Sequence, residues 1–245
     1  MSVKFIILGC GSSMGVPRTD GYFGMCNPNI KKNYRTRCSA IISSKNSNTL
    51  IDTSPDLRFQ LLKNKKKNIN RVLYSHHHAD QTHGINDLRI FFLKNKKKIP
   101  VYADKSTRNY LLNNFKYCFK KTTSYTPILK IKYLRKRNIF IDKNIRLNIR
   151  TIKVKHGKIE CSAFIINKKC AYISDVNKIY EKDHKHFKNL KYFIVDCLRY
   201  RKHPSHYNLD QVLDLIKLLK PKKAILTNLH SDFDYQKLKK ILPRN

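Results

Sequence analysis

The segment Val72-Leu73-Tyr74-Ser75-His76-His77-His78-Ala79-Asp80-Gln81-Thr82-His83-Gly84 decides how the rest of the chain is read. Its apolar start reads as a strand, which delivers His76, His78 and Asp80 into a tight loop before a helix. Side chains alternate along extended backbone, so imidazoles two residues apart point the same way, and a carboxylate two further on reaches the same space. His77, between them, is expected to point away. Imidazole nitrogen and carboxylate oxygen are the donors that Zn²⁺, Mn²⁺ and Fe²⁺ prefer. Three His and one Asp in five positions, directly after a strand, argue for a metal-binding loop over a polar loop rich in His by chance.

Around this segment the chain alternates short strands with helices. Strands are predicted at Val3–Gly9, Ser39–Ser43, Thr49–Asp52 and Arg71–Ser75, each ended by a polar or turn-forming residue. One helix is predicted from Pro55 through Leu62, another from Ile85 to Leu93, and a helical stretch near Thr107–Phe119 follows Pro100–Ala103. The second half has the same grammar, with strands at Arg146–Lys155, Ser162–Ile166, Cys170–Ile173, Tyr192–Val195 and Ala224–Leu226. Its clearest helix starts at the N-cap Asn208, carries Leu209, Val212, Leu213, Ile216 and Leu219 on one face, and stops at Pro221. No repeat or Pro/Gly/Ser linker divides residues 1–245, which reads as one mixed α/β domain.

Composition sets outer bounds. The 245 residues hold 52 Lys and Arg against 16 Asp and Glu, a formal net charge of +36, which excludes an acidic surface. Polycations bind phosphate backbones, yet the Lys runs at 63–67 and 94–98 alternate with apolar segments along the whole chain. A solvated face accounts for most of them. No apolar run reaches the ~18 residues needed to span a bilayer, and the first residues lack the order of a secretory signal, so a cytoplasmic location is expected. Seven Cys are scattered without a CxxC pair, which argues against a disulfide framework. The loop Gly9-Cys10-Gly11-Ser12-Ser13-Met14-Gly15 is followed by Pro17 and not by a helix, so it reads as a tight turn and not as a dinucleotide fingerprint. His184 and His186, set among lysines, read as a solvated helix face. His203 and Arg199, near Asp196, read equally as the lining of a phosphate pocket or as surface.

The histidine-rich segment resembles the HxHxDH signature of the metallo-β-lactamase-fold hydrolases. The likeness runs from Ile7-Leu8-Gly9-Cys10-Gly11-Ser12-Ser13 to Asp232-Phe233-Asp234-Tyr235. It takes in Thr49-Leu50-Ile51-Asp52-Thr53, Ile99-Pro100-Val101-Tyr102, His156-Gly157, Ser174-Asp175 and Ser205-His206-Tyr207-Asn208-Leu209. In pattern the chain resembles the branch that includes the phosphoribosyl 1,2-cyclic phosphate phosphodiesterase. The resemblance implies a four-layer αββα sandwich and a metal-dependent hydrolase, a phosphodiesterase that uses a metal-activated water on a small, cyclic phosphodiester. It implies that His76, His78 and His156 hold a first metal, that Asp175 bridges to a second, and that Asp80 binds the second and aligns the attacking water. His206 falls where the phosphodiesterase carries a catalytic histidine, which would protonate the leaving alkoxide or stabilise phosphoryl oxygens.

Departures from the pattern temper the metal count. The histidine that follows the family's Asp is Gln81 here, and the late ligand histidine aligns with Asn228. Neutral amides are poor ligands for zinc-like ions. One firmly bound divalent ion (Zn or Mn) is therefore expected, with the second site weak, held by a harder ion, or empty. His230 and His83 stand as substitutes. The region of Cys26 lacks the Cys cluster that the resemblance to that phosphodiesterase implies. The implied partner is a small anionic phosphodiester, with no membrane partner; RNA is the alternative, and a homodimer is compatible. Two rival functions stay open: an RNA-processing endonuclease of the tRNA 3′-endonuclease type, and a catalytically impaired nucleic-acid-binding relative.

Overall fold

The computed structural model describes residues 3–45, 47–142 and 145–243. Contacts divide the chain into two units, Met1–Gly9 with Ser39–Leu147, and Cys10–Cys38 with Asn148–Asn245.

The first unit is built on the β-branched runs of the N-terminal half. They form β1 (Lys4–Gly9), β2 (Ser39–Ser43), β3 (Asn48–Ile51), β4 (Arg71–Leu73), β5 (Ile99–Ala103) and β6 (Leu129–Tyr133), hydrogen-bonded in that order. The β1–β2–β3 edge is antiparallel, whereas β3 through β6 run parallel. Parallel neighbours need crossovers. These hold α1 (Leu57–Lys63), α2 (Ala79–Thr82), a 3₁₀ turn at Ile85–Leu88, α3 (Arg89–Asn95), α4 (Lys105–Asn114) and α5 (Lys116–Phe119). Leu50, Leu57, Val72, Tyr74, Ile85, Leu88 and Val101 are fully buried in this unit's core. The predicted helix over Ile85–Leu93 is thus a 3₁₀ turn continued by an α-helix, and its C-cap Lys96 is left-handed.

The second sheet has the order β12-β11-β10-β9-β8-β7, from β7 (Arg137–Asp142), β8 (Ile145–His156), β9 (Ile159–Ile166), β10 (Cys170–Ile173), β11 (Tyr192–Asp196) and β12 (Ala224–Thr227). Here β8–β9–β10 are antiparallel and β10–β11–β12 parallel. The crossover helix α6 (Leu209–Leu219) starts in a full capping box between Asn208 and Gln211. Val154, Ala163, Phe187, Phe193, Val195, Val212 and Phe233 centre this unit's core. The last helix, α7 (Tyr235–Ile241), is capped by Asp234.

Around Cys26 this chain has a polar network. Buried Arg35 donates to the carbonyls of His230 (3.2 Å) and Phe233 and to Asn33 Oδ1, and Asn33 Nδ2 donates to Asp234 Oδ2 at 2.7 Å. Cys26 Sγ lies 3.3 Å from the carbonyls of Ser231 and Phe233. The network ties residues 26–35 to residues 230–235. None of the seven Cys forms a disulfide, and six of them are buried. Among the described residues, no helix is long and apolar enough to cross a membrane.

Candidate metal centre

In open sheets, ligand-binding loops collect at the C-terminal ends of parallel strands. Most of the functional side chains follow that rule in each unit; His156, at the end of the antiparallel strand β8, is the exception. In the first unit, the chain leaves β4 through Ser75 and reaches His76, His77 and His78 before α2 begins at Ala79. His78 has extended backbone and is the N-cap of α2, so Asp80 falls in the first turn. The His76 and His78 rings pack edge to face, 4.6 Å apart. His77 turns to Tyr110, ring centroids 5.5 Å apart, as the alternation predicts.

Asp52 holds this loop in place. It is fully buried with φ 60, and its Oδ1 accepts from Ser75 N (2.7 Å) while its Oδ2 accepts from Ser75 Oγ (2.8 Å). That hydroxyl has spent its one proton, so at 3.0 Å it accepts from His76 Nδ1–H. The tautomer this fixes carries the lone pair on Nε2, the form a metal-ligating imidazole takes. Gly84 closes the segment. Its N–H donates to the Thr53 carbonyl, and a Cβ there would come within 2.0 Å of the Ser54 carbonyl oxygen. Beside Asp80, buried Gln81 donates from Nε2 to Asp80 Oδ2 at 2.8 Å. His83 lies against α4 and α5, with Nε2 3.2 Å from the Tyr110 hydroxyl and its ring edge to face on Phe115.

The second unit gathers His156, Asp175, Asp196, His206 and Asn228. His156 ends β8, where a two-residue turn begins with Gly157 at φ 59. A side chain at 157 would meet Ser205 Cβ at 2.9 Å, so glycine is required by both conformation and space. His156 Nδ1–H donates to the Ser205 carbonyl at 2.7 Å, which again leaves the lone pair on Nε2. Burial lowers its pKa, opposed by nearby Asp175, so the ring is held neutral as a ligand needs. Ligand atoms of His156, Asp175 and His206 all lie within 4.8 Å of one another.

The β11 residue Asp196 is fully buried and organises this group. Its Oδ2 accepts from His206 Nδ1 at 2.7 Å and from Val176 N at 2.9 Å. Burial pushes its carboxyl up to about 7, against the pull of His206. Asn228, at φ 60 just past β12, donates from Nδ2 to Asp196 Oδ1 (3.1 Å) and Asp175 Oδ1 (3.3 Å), and the same nitrogen is 3.2 Å from His206 Nδ1. His203 lies ring to ring with His206 at 5.0 Å, and its Nδ1 accepts from Ser205. Desolvation lowers its pKa, and positive neighbours add to this.

The solvated helix face expected for His184 and His186 is corrected. His184 and His186 are half-buried on a 3₁₀ turn; His184 Nε2 meets the Ile179 carbonyl, and His186 lies 3.1 Å from Arg150. Arg199 is turned to the carbonyls of Arg201 and Lys202. His230 Nδ1 pairs with Asp232 Oδ1 at 3.0 Å, on the polar network that holds residues 230–235. Asp196 carried no motif in the sequence beyond its place at the end of an apolar run.

Each unit's donors fit a divalent ion by their chemistry. His76 and His156 both have Nδ1 engaged and Nε2 carrying the lone pair, and carboxylates accompany both.

Comparison with known proteins agrees with this reading. The family model for the β-lactamase superfamily domain matches residues 47–228. The chain therefore belongs to the β-lactamase superfamily and has the metallo-β-lactamase fold, an α/β architecture of two sheets with helices. A solved structure described as a new diphosphatase from the PhnP family is 27% identical, with a TM-score of 0.90 over 100% of this chain and 92% of that one. Human tRNase Z, short form, superposes with a TM-score of 0.68 over 94% of this chain and 93% of its own, at 15% identity, a likeness of fold alone. An octanoyltransferase of Porphyromonas gingivalis (strain ATCC BAA-308 / W83) is 29% identical over 245 residues, 98% of this chain. This chain spans about half the length of that relative, 49%.

Proposed function

We propose that this chain is a cytoplasmic, metal-dependent phosphodiesterase, a single functional domain that hydrolyses a small anionic phosphodiester, cyclic in its preferred form. The observation that carries this reading is His206, held by buried Asp196 at 2.7 Å beside His156 and Asp175. A carboxylate behind Nδ1 orients the imidazole and stabilises its protonated form, so that Nε2–H donates to a leaving alkoxide. An alkoxide leaves poorly without that proton, and a phosphodiester has such a leaving group.

His76, His78, His156, Asp80 and Asp175 are the proposed ligands. When bound there, Zn²⁺ or Mn²⁺ supplies a lowered pKa for water and neutralises phosphoryl oxygens. Asp80 accepts a proton from the attacking water and orients it. Asn228 and Gln81 keep Asp175 and Asp80 in single orientations through their amide donors. The diphosphatase similarity supports phosphorus chemistry over other superfamily reactions, and the net charge of +36 favours an anionic substrate.

The test is hydrolysis of an activated phosphodiester, a ribose cyclic phosphate and a tRNA precursor by the purified chain, with His76→Ala as control. Turnover of the small diesters, abolished in the control, is expected. Turnover of the tRNA precursor alone would replace this reading with RNA processing. Activity that survives His76→Ala would end the metal-site reading.

A further inference from the structure

The two lysine runs of the sequence meet in the first unit. Asn95 Nδ2, at the end of α3, donates to Asn68 Oδ1, just beyond α1, at 2.8 Å. At the opposite ends of the two helices, Arg58 N donates to Asp87 Oδ2 at 3.0 Å. These bonds tie the start of α1 to the turn before α3, and the segment after α1 to the end of α3. The lysines of 63–67 and of 94–98 therefore share one end of the pair, and all but Lys66 are exposed. No Asp or Glu occurs in residues 57–79 or 88–103.

The same helices expose apolar side chains in matching places. Phe59 and Leu62 on α1 are 56% and 64% exposed, and Ile90 and Leu93 on α3 are 60% and 43% exposed. Each pair is spaced i, i+3, which puts its members on one face, and each is followed by a lysine, Lys63 and Lys94. Lys63 Nζ lies 5.8 Å from the Phe59 ring centroid. A solvated lysine face needs no such apolar pairs, and a surface that only tracks a polyanion backbone does not need them either.

We propose, against the expectation from the sequence of no membrane partner, that this face docks on an anionic phospholipid surface. Phe59, Leu62, Ile90 and Leu93 enter the headgroup boundary, and the lysine cluster pairs with lipid phosphates and carboxylates. The occupant is argued from charge complementarity, since the acid-free cluster has no internal counter-charge, and from apolar side chains placed beside it. Such docking is peripheral and involves none of the proposed metal ligands, so it stands or falls apart from the phosphodiesterase reading.

Sedimentation of the full chain with vesicles tests it. Phosphatidylcholine vesicles that also contain phosphatidylserine are expected to retain the protein, and pure phosphatidylcholine vesicles are not. Partitioning changes roughly fivefold per lysine at an anionic surface. Lys65→Glu, Lys67→Glu, Lys96→Glu and Lys97→Glu together should therefore weaken it by about two orders of magnitude or more. The same charge change in the second unit, at Lys182, Lys185, Lys188 and Lys191, should weaken it far less. Phe59→Ser with Leu62→Ser, or independently Ile90→Ser with Leu93→Ser, should lower retention roughly tenfold, with circular dichroism reporting that each variant stays folded. Three outcomes would overturn the proposal: no retention on the anionic vesicles, retention indifferent to the serine variants, or equal losses from both lysine sets. Salt-sensitive binding to single-stranded RNA without vesicle retention would assign the face to nucleic acid instead.

Discussion

His206 Nδ1 stands 2.7 Å from Oδ2 of Asp196, a carboxylate with no exposed surface. The pair belongs to the second unit, where β11 supplies the carboxylate and the loop before α6 supplies the imidazole. A charged partner at this distance orients the ring and stabilises a proton on it.

Asp196→Asn keeps the shape and removes the charge. A positioned general acid contributes about 10²–10⁴ in rate, so kcat on a small phosphodiester should fall within that range while KM changes much less. Stability gives a second readout. The folded carboxyl sits up at about 7, above its ordinary 3.8. Between about pH 4 and 7 the folded chain keeps a proton that the unfolded chain releases, so wild-type stability falls as pH rises through that window. Asn does not titrate, and urea unfolding across the window should show a shallower slope in the variant.

Ser75→Ala interrupts the Asp52–Ser75–His76 relay without touching a proposed ligand. The hydroxyl that accepts from His76 Nδ1 is lost, and with it the preference for the Nε2 lone pair. Loss of such a supporting bond weakens metal affinity about 10–100-fold. Titration with a competing chelator measures this directly, and an unchanged affinity would count against the relay.

The legible part of this molecule was its period-2 strands and its dense motif. β1, β2, β10 and α6 lie close to where apolar patterning puts them: β2 and β10 bury continuous runs, β1 is an apolar run buried at its end, and α6 buries Leu209, Val212, Leu215 and Leu219 along one face. The strand β6 has the sequence LKIKY with only Leu129 buried, and α7 has the sequence YQKLKKI with only Leu238 buried. LKIKY alternates at period 2 but over five residues only, too short a stretch to stand out among the Lys-rich segments, and α7 has too few apolar positions for its period to show. In the site, His76, His78 and Asp80 announced themselves because they lie within five residues. Asp196 did not, since a carboxylate at the end of one strand meets a histidine ten residues later only through the fold. Asp52 was visible as part of a family-like stretch, but its bonds to Ser75 depend on β3 and β4 pairing in parallel.

Asp234 tests the polar network around Cys26. Burial opposes its charge, but the backbone N–H groups of Lys237, Asn27 and Gln236 and the Asn33 amide outweigh that and hold its carboxyl down at about 2. Its folded pKa is depressed, so its stabilising contribution is present above about pH 4 and is lost as pH falls toward 2. Asp234→Ala removes the cap of α7 and the tie to residues 27–33, and should cost about 1–3 kcal/mol near neutral pH. Acid titration of urea midpoints should show less loss between pH 4 and 2 in the variant than in the wild type.

Gln81 and Asn228 bear on metal number. Each presents an amide NH₂ to a carboxylate oxygen, Gln81 to Asp80 Oδ2 at 2.8 Å and Asn228 to Asp175 Oδ1 at 3.3 Å. A donor hydrogen facing a carboxylate takes up the lone pair a cation would use, and an amide nitrogen offers no lone pair in exchange. A single tightly bound divalent ion per chain is therefore expected from elemental analysis after dialysis against dilute chelator. Gln81→His together with Asn228→His replaces both donors with imidazoles able to ligate, and should raise the tightly bound metal toward two per chain. Two equivalents in the wild type would show that the amides do not block the second site. One equivalent in the double variant would show that the limit lies in other residues.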